Sequence, residues 1–217
     1  MKSYALIPAT LMSLAVLPMA AEAQQITFGK SWTEQRFSMF SSNEFALDGD
    51  SLGVRSDGTV SMVWSALPKA LWQKREARWD WVVEQSVPAT DLTRKGGDDR
   101  NLSVYFVFLP TEAAESAQNK GVKALLQNPD ARVLMYVWGG NHAQGEILPS
   151  PYLGPRGRSV IQRVAGTGSA SERIDLARDH RRAFGEAPQN LVGLAVSSDS
   201  DDTGTGVRAR LSRLRFR

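Results

Sequence analysis

The sequence has no cysteine and only two histidines, His142 and His180, among its 217 residues. Without cysteine the fold has to hold by burial alone, although an exported chain could have used disulfides. Two widely separated histidines and no thiolate leave little for a zinc site. No P-loop or dinucleotide fingerprint is present, since Gly166-Thr-Gly168 lacks the strand-to-helix setting that would let it cradle phosphates. Linkers, internal repeats and low-complexity tracts are absent too, and after the first twenty or so residues so are long apolar runs.

The one long apolar run is itself informative. A single Lys2 precedes an apolar stretch from Tyr4 to Ala20, interrupted by Pro8 and Pro18, and Ala21-Glu22-Ala23 follows. A basic start, a short apolar stretch and an A-x-A exit predict a secretory signal peptide over residues 1–23, cleaved after Ala23. The run is short for a membrane span and has no stop-transfer charges after it. No lipobox cysteine is available for anchoring, so the expected product is soluble, periplasmic or secreted, and without a stable membrane span. Residues 24–217 are then expected to form one domain large enough for a real core.

Formal net charge is +3, from 26 Lys and Arg against 23 Asp and Glu. Five arginines fall between Arg208 and Arg217 with no acid among them. Such a tail can meet polyanions, but arginines on the solvent face of a final strand explain it more simply, and no nucleic-acid partner is expected.

Period-two alternation dominates. Trp79, Trp81 and Val83 share one face, with Arg78, Asp80 and Glu84 on the other, as in a half-buried strand. Residues 102–109 and 132–138 are apolar on both parities, as central strands are. Further strands are expected near 51–55, 60–64, 159–164, 191–197 and 207–211. Helices are few. Residues 175–184 carry Leu176, His180 and Phe184 on one stripe and stop at Gly185 and Pro188. Residues 111–127, Ala-rich and interrupted by Gly121, predict a short helical excursion, and 139–157 a long Gly/Pro loop. Seven or eight short strands and one or two short helices predict a mainly β, jelly-roll-like antiparallel β-sandwich.

One block carries a resemblance: Trp79-Asp-Trp81, then Lys95-Gly-Gly97-Asp98-Asp99, then Val104-Tyr105 and Val107-Phe108. These residues resemble the bacterial domain-of-unknown-function family 3047, whose members pair a tryptophan-rich strand with a K-x-G-D-D loop and a V-Y-x-V-F strand. Tyr136-Val-Trp138, Ser150-Pro-Tyr152, Glu172-Arg173, Asp179, Phe184-Gly185, Pro188 and the acidic run from Ser198 to Gly204 extend the likeness. The chain departs from that pattern at His180, where the family has Tyr, and at Val207-Arg208, where it has an aromatic pair. The resemblance implies a sandwich similar to carbohydrate-binding modules, with no activity attached.

Several groups could carry chemistry. Gly49-Asp-Ser51-Leu-Gly53 matches both a G-x-S-x-G elbow and the GDSL signature of secreted esterases. A strand pattern follows directly where a helix is needed, however, and Asp57-Gly58 then signals a hairpin, so the segment reads as a turn. Glu172 and Asp175 could serve as a glycosidase carboxylate pair; a strand-edge pairing of Glu172 with Arg173 is simpler.

The acidic loops Asp98-Asp99 and Asp199-Ser-Asp201-Asp202 resemble oxygen-rich calcium loops, because Ca²⁺ takes about six to eight hard oxygens, though Asp and Gly are also ordinary turn residues. Strand direction brings them together: the strand through Trp79 runs toward one end of the sandwich, the strand ending at Trp138 returns there, and the one over 191–197 delivers the second acidic loop. Lys95, Asp98, Asp99 and Trp138 are therefore the expected ligand-binding residues, with Asp199, Asp201 and Asp202 the candidate calcium ligands. Acceptors beside an indole suit a sugar. The sequence thus predicts an exported protein that binds a glycan or other envelope component, with a secreted hydrolase or a structural envelope protein as alternatives.

Overall fold

The strand Glu76–Gln85 shows how the alternation is used: Ala77, Trp79, Trp81 and Val83 are buried, while Glu84 and Gln85 are exposed. A computed structural model describes residues 23–117 and 120–217; the expected signal peptide lies almost wholly outside the described residues. In chain order the strands are β1 (Gln24–Gln25), β2 (Thr33–Arg36), β3 (Glu44–Asp48), β4 (Ser51–Asp57), β5 (Val60–Ala66), β6 (Glu76–Gln85), β7 (Arg100–Leu109), β8 (Arg132–Trp138), β9 (Ile147–Ser150), β10 (Gly154–Arg163), β11 (Gly168–Asp175), β12 (Asn190–Asp199) and β13 (Gly206–Phe216). The helices are α1 (Thr111–Ala117), α2 (Val122–Gln127) and α3 (Leu176–Phe184).

Two sheets result. One is six-stranded, ordered β11-β6-β13-β4-β3 with β1 added to β13; the other is seven-stranded, ordered β2-β5-β12-β7-β8-β10-β9. Their inner faces enclose an aromatic column. Trp79 and Trp81 meet edge to face at 5.5 Å, Trp79 contacts Tyr136 at 5.7 Å, and Phe106 contacts Phe216 at 6.1 Å. Such tilted and T-shaped pairs suit ring quadrupoles. The mainly β sandwich is therefore as expected, and β7 and β8 are buried on both faces for a specific reason. Their outward residues Tyr105, Val107, Val133 and Met135 form a second core with Ala114, Val122 and Leu125 of α1 and α2.

Two expectations are corrected. The sandwich is not wholly antiparallel, because β10 pairs with β8 in parallel and with β9 antiparallel. The chain leaves β8, turns at Gly139 and Gly140, lays β9 at the sheet edge and returns as β10 between them. Residues 139–157 are thus not one long loop but contain β9 and the start of β10. The strands also outnumber the seven or eight expected, because β2 (Thr-Glu-Gln-Arg) and β11 (Gly-Ser-Ala-Ser-Glu-Arg-Ile-Asp) have little or no apolar alternation to announce them.

α3 begins and ends where its sequence says. The Asp175 carboxylate accepts from the Arg178 N–H at 2.9 Å, and Gly185 closes the helix at φ 77°. No helix among the described residues is long and apolar enough to cross a membrane.

Candidate functional site

The loop between β6 and β7 and the loop between β12 and β13 meet, as strand direction requires. Asp99, fully buried, accepts from the Thr203 N–H at 2.8 Å, the Thr203 hydroxyl at 2.5 Å and the Asp202 N–H at 3.3 Å. A carboxylate held by three donors is a brace. It fixes the second acidic loop against the first, while Ser200 Oγ, 2.6 Å from Ser56 Oγ, holds the same loop from beneath.

Arg100 is the organising cation. Between the pairs Ser197↔Ser103 and Asp199↔Arg100, three steps of β7 oppose two of β12, a bulge that re-aims the strand's first side chains. The largely buried guanidinium donates to the Asp98 carboxylate at 2.8 Å, the Ser103 hydroxyl at 2.9 Å and the Tyr105 hydroxyl at 3.2 Å, and pairs with Asp199 at 3.2 Å. Burial opposes its charge, but Tyr105, Asp199 and Asp98 outweigh that and hold its pKa above the usual arginine value. The chain packs tightly here: a Cβ on Gly139 would lie 2.9 Å from the Arg100 Cα.

Over this network opens a cleft of about 380 Å³ on the outer face of the seven-stranded sheet. Met62, Tyr105 and Met135 line it from the strands, while Asp98, Asp199, Asp201 and Asp202 bring acid and Phe37 and Tyr152 bring aromatic rings. Tyr152 is 58% exposed, donates its hydroxyl to Asp98 at 2.9 Å and lies under the Lys95 ammonium, 5.3 Å from the ring centre. Burial and the bond to Asp98 push the Tyr152 hydroxyl up to about 12, so it stays a donor at neutral pH.

Asp199 is the anomalous acid. Its side chain is only 8% exposed, and one oxygen pairs with Arg100 while the other is buried without a hydrogen-bond partner. Burial pushes its carboxyl up to about 8 despite Arg100, helped by the nearby Asp201 and Asp99. Burial, Asp201, Asp99 and Asp98 also raise Asp202.

Of the expected ligand residues, Asp98 lines the cleft, Lys95 stands over the Tyr152 ring at its edge, and Asp99 is buried in the brace between the two loops. Trp138 does not. It is 5% exposed, packs edge to face on Trp81 at 5.5 Å and donates its indole N–H to the Gly166 carbonyl at 3.1 Å. It ends its strand at the expected end of the sandwich but points between the sheets, and Tyr152 is the exposed ring instead. The signal for Tyr152 was an aromatic in the Ser150-Pro151 turn, outside any alternating apolar run; no sequence signal placed Arg100.

Of the metal set, Asp201 and Asp202 group with Asp99, with carboxylate oxygens all within 4.8 Å of one another. Asp199 is held aside by Arg100. Ser51 opens β4 after the hairpin at Gly49, φ 58°, and its hydroxyl faces the Asp48 carbonyl at 3.5 Å, so it does not sit on a strand-to-helix elbow. Nor are Glu172 and Asp175 a pair across a cleft. Glu172 is buried, accepting from Trp81 Nε1 at 3.1 Å and Arg163 Nε at 3.0 Å, and Asp175 caps α3.

Residues 24–215 match the family described as "Protein of unknown function (DUF3047)". No curated protein matches the chain. Among solved structures, the xyloglucanase domain of NopAA, a type three effector from Sinorhizobium fredii in complex with cellobiose, is similar at a TM-score of 0.46 and 7% identity, covering 89% of this chain and 99% of its own. The family 11 xylanase from Neocallimastix patriciarum is similar at a TM-score of 0.38 and 11% identity, covering 89% of this chain and 96% of its own.

Proposed function

The chain belongs to the family described as Protein of unknown function (DUF3047), a description without an activity, and from the cleft itself we propose an exported ligand-binding protein that takes a glycan or another hydroxylated component of the cell envelope. The observation that carries this reading is an exposed aromatic ring, Tyr152, bonded to a cleft carboxylate, Asp98. A sugar needs both: acceptors for its hydroxyls and a flat apolar surface for its C–H face. Phe37, 55% exposed, offers a second ring to the same cleft. Lys95 and Arg100 position the groups that touch the ligand. The leader at residues 1–23 supports a periplasmic or secreted location.

A glycan array on the exported protein tests the reading, followed by titration of the best ligand into Tyr152→Ala. Loss of the stacking ring should weaken binding by about 0.5–1.5 kcal/mol, roughly two- to twelvefold. Unchanged affinity in that variant, or a blank array, would sink the proposal.

One observation favours a second reading. Asp199, whose pKa is pushed up to about 8, would be protonated at neutral pH beside the Asp201 carboxyl in the same cleft, as a general acid requires. Turnover of any array ligand that disappears in Asp199→Asn would make the protein a hydrolase. Binding without turnover leaves it a binding protein.

A further inference from the structure

The opposite flank of the sandwich carries a different chemistry. On the outer face of the six-stranded sheet, register places Arg173 of β11 opposite Arg78 of β6, and Arg78 opposite Arg215 of β13. Three arginines thus lie in one row across three adjacent strands, about 4.8 Å apart in the pairing direction. Like charges directly opposite one another destabilise a sheet, so the row exists against a cost.

A bulge builds it. Between Ser212↔Asp80 and Arg215↔Arg78, three steps of β13 oppose two of β6, and Arg213 takes a left-handed φ of 53°. The extra residue lets Leu214 and Phe216 point fully inward while Arg213 stays exposed and Arg215 half-buried. Without it, one residue of strand period would turn Arg215 into the core.

Counter-charge is incomplete. Arg173 reaches Glu76 at 3.2 Å, and Arg213 is held by Asp80, which also accepts from Ser171. Among the described residues Arg78 and Arg215 form no ion pair, and Arg78 Nε is buried without an acceptor. Burial and the positive charge of Arg173, Arg217 and Arg215 hold the Arg78 guanidinium below its usual range. Arg78, Arg173, Arg213 and Arg215 border a second depression of about 380 Å³, whose lining also includes Trp79, Asp80, Ser171 and Glu172.

We propose that this arginine row is a binding site for a polyvalent oxyanion, a phosphate or sulfate group, on the flank away from the acidic cleft. Guanidinium forks on adjacent strands present N–H donors to several oxygens of one tetrahedral group, and an anion there relieves the repulsion along the row. The group is either a free anion or one carried on an envelope polymer. The acidic cleft and the basic row then give the two sheets opposite ligand preferences.

Calorimetric titration of the exported protein at low ionic strength, with inorganic phosphate in one arm and a sulfated polysaccharide in the other, tests this. The double variant Arg78→Gln/Arg215→Gln should lose roughly tenfold or more in affinity, about 1.4 kcal/mol. Arg55→Gln/Arg208→Gln removes two charges from the same face, where those residues oppose each other across β4 and β13, and should lose less than about twofold. Phosphate binding identifies the free anion as sufficient; polymer binding alone identifies a polymer-borne group. Equal losses in the two double variants would mean general attraction to a basic face and overturn the site, as would no binding of either probe to the unaltered protein. Should the first pair fail to fold, the single change Arg215→Gln, at the half-buried end of the row, decides by the same comparison.

Discussion

Asp199 joins stability to pH through a single carboxyl. Its folded pKa is raised, so the folded chain binds a proton that the unfolded chain has released, and the associated stability is fully present below the unfolded value near 3.8 and lost as pH rises through about 8. Melting temperature should therefore fall between pH 5 and pH 9, other carboxylates aside. Asp199→Asn keeps an acceptor for Arg100 but cannot ionise, so it should melt higher than the unaltered protein at pH 9, and the gap should narrow as pH falls toward the unfolded value near 3.8. A pH profile parallel to that of the unaltered protein would mean the carboxyl is ionised in the fold. Trp81 makes a simpler case. It is fully buried between Trp79 and Trp138 and bonded to Glu172, and Trp81→Ala should cost about 3–5 kcal/mol in chemical denaturation, because a large cavity opens and a buried carboxylate loses a donor.

At the scale of elements, the acidic loops are the part whose behaviour a cation would change. Asp99, Asp201 and Asp202 offer oxygens close enough for one hard cation, but Asp99 already serves Thr203 and Asp202, which leaves a calcium ion fewer free lone pairs. Millimolar calcium should still raise the melting temperature by mass action, and Asp201→Asn should abolish the rise; no shift in either protein removes the metal from this loop.

Strand direction alone brought these loops together on paper, because it depends only on where each alternating run starts and stops. What it could not give was the aim of individual side chains. Arg100 reaches the cleft through a bulge, which leaves no mark on hydrophobic periodicity. Trp138 and Tyr152 are both aromatics at the expected end, and only the packing of Trp81 beneath one of them decides that Trp138 is inside and Tyr152 outside. The two-faced burial of β7 and β8 was legible as unbroken apolar runs, whereas β2 and β11, polar edge strands, hold their places by backbone pairing that composition hardly records.

For the molecule as a whole, the acid-lined cleft and the arginine row lie on the outer faces of different sheets, which a net charge of +3 conceals. Removal of the leader after Ala23 should leave Gln24 as the first residue, measurable as the mass of the exported protein; intact Met1 in the periplasmic fraction would contradict export through this leader. Gln24 has a definite role. It opens β1, and its partner across the pairing is Phe216, next to the last residue of the chain.

That closure has a kinetic meaning. β13 runs through the middle of the six-stranded sheet, between β6 and β4, and β1 pairs with it. The sheet therefore has no centre until β13 arrives, and the pairings of β13 join strands more than a hundred residues apart, the arrangement that makes assembly slow. A chain threaded through a membrane from its N-terminus would keep this sheet open, and so passable, until β13 had crossed. Proteolysis of a chain stalled before residue 206 should find it as sensitive as an unfolded one, and resistance there would mean that the seven-stranded sheet folds alone.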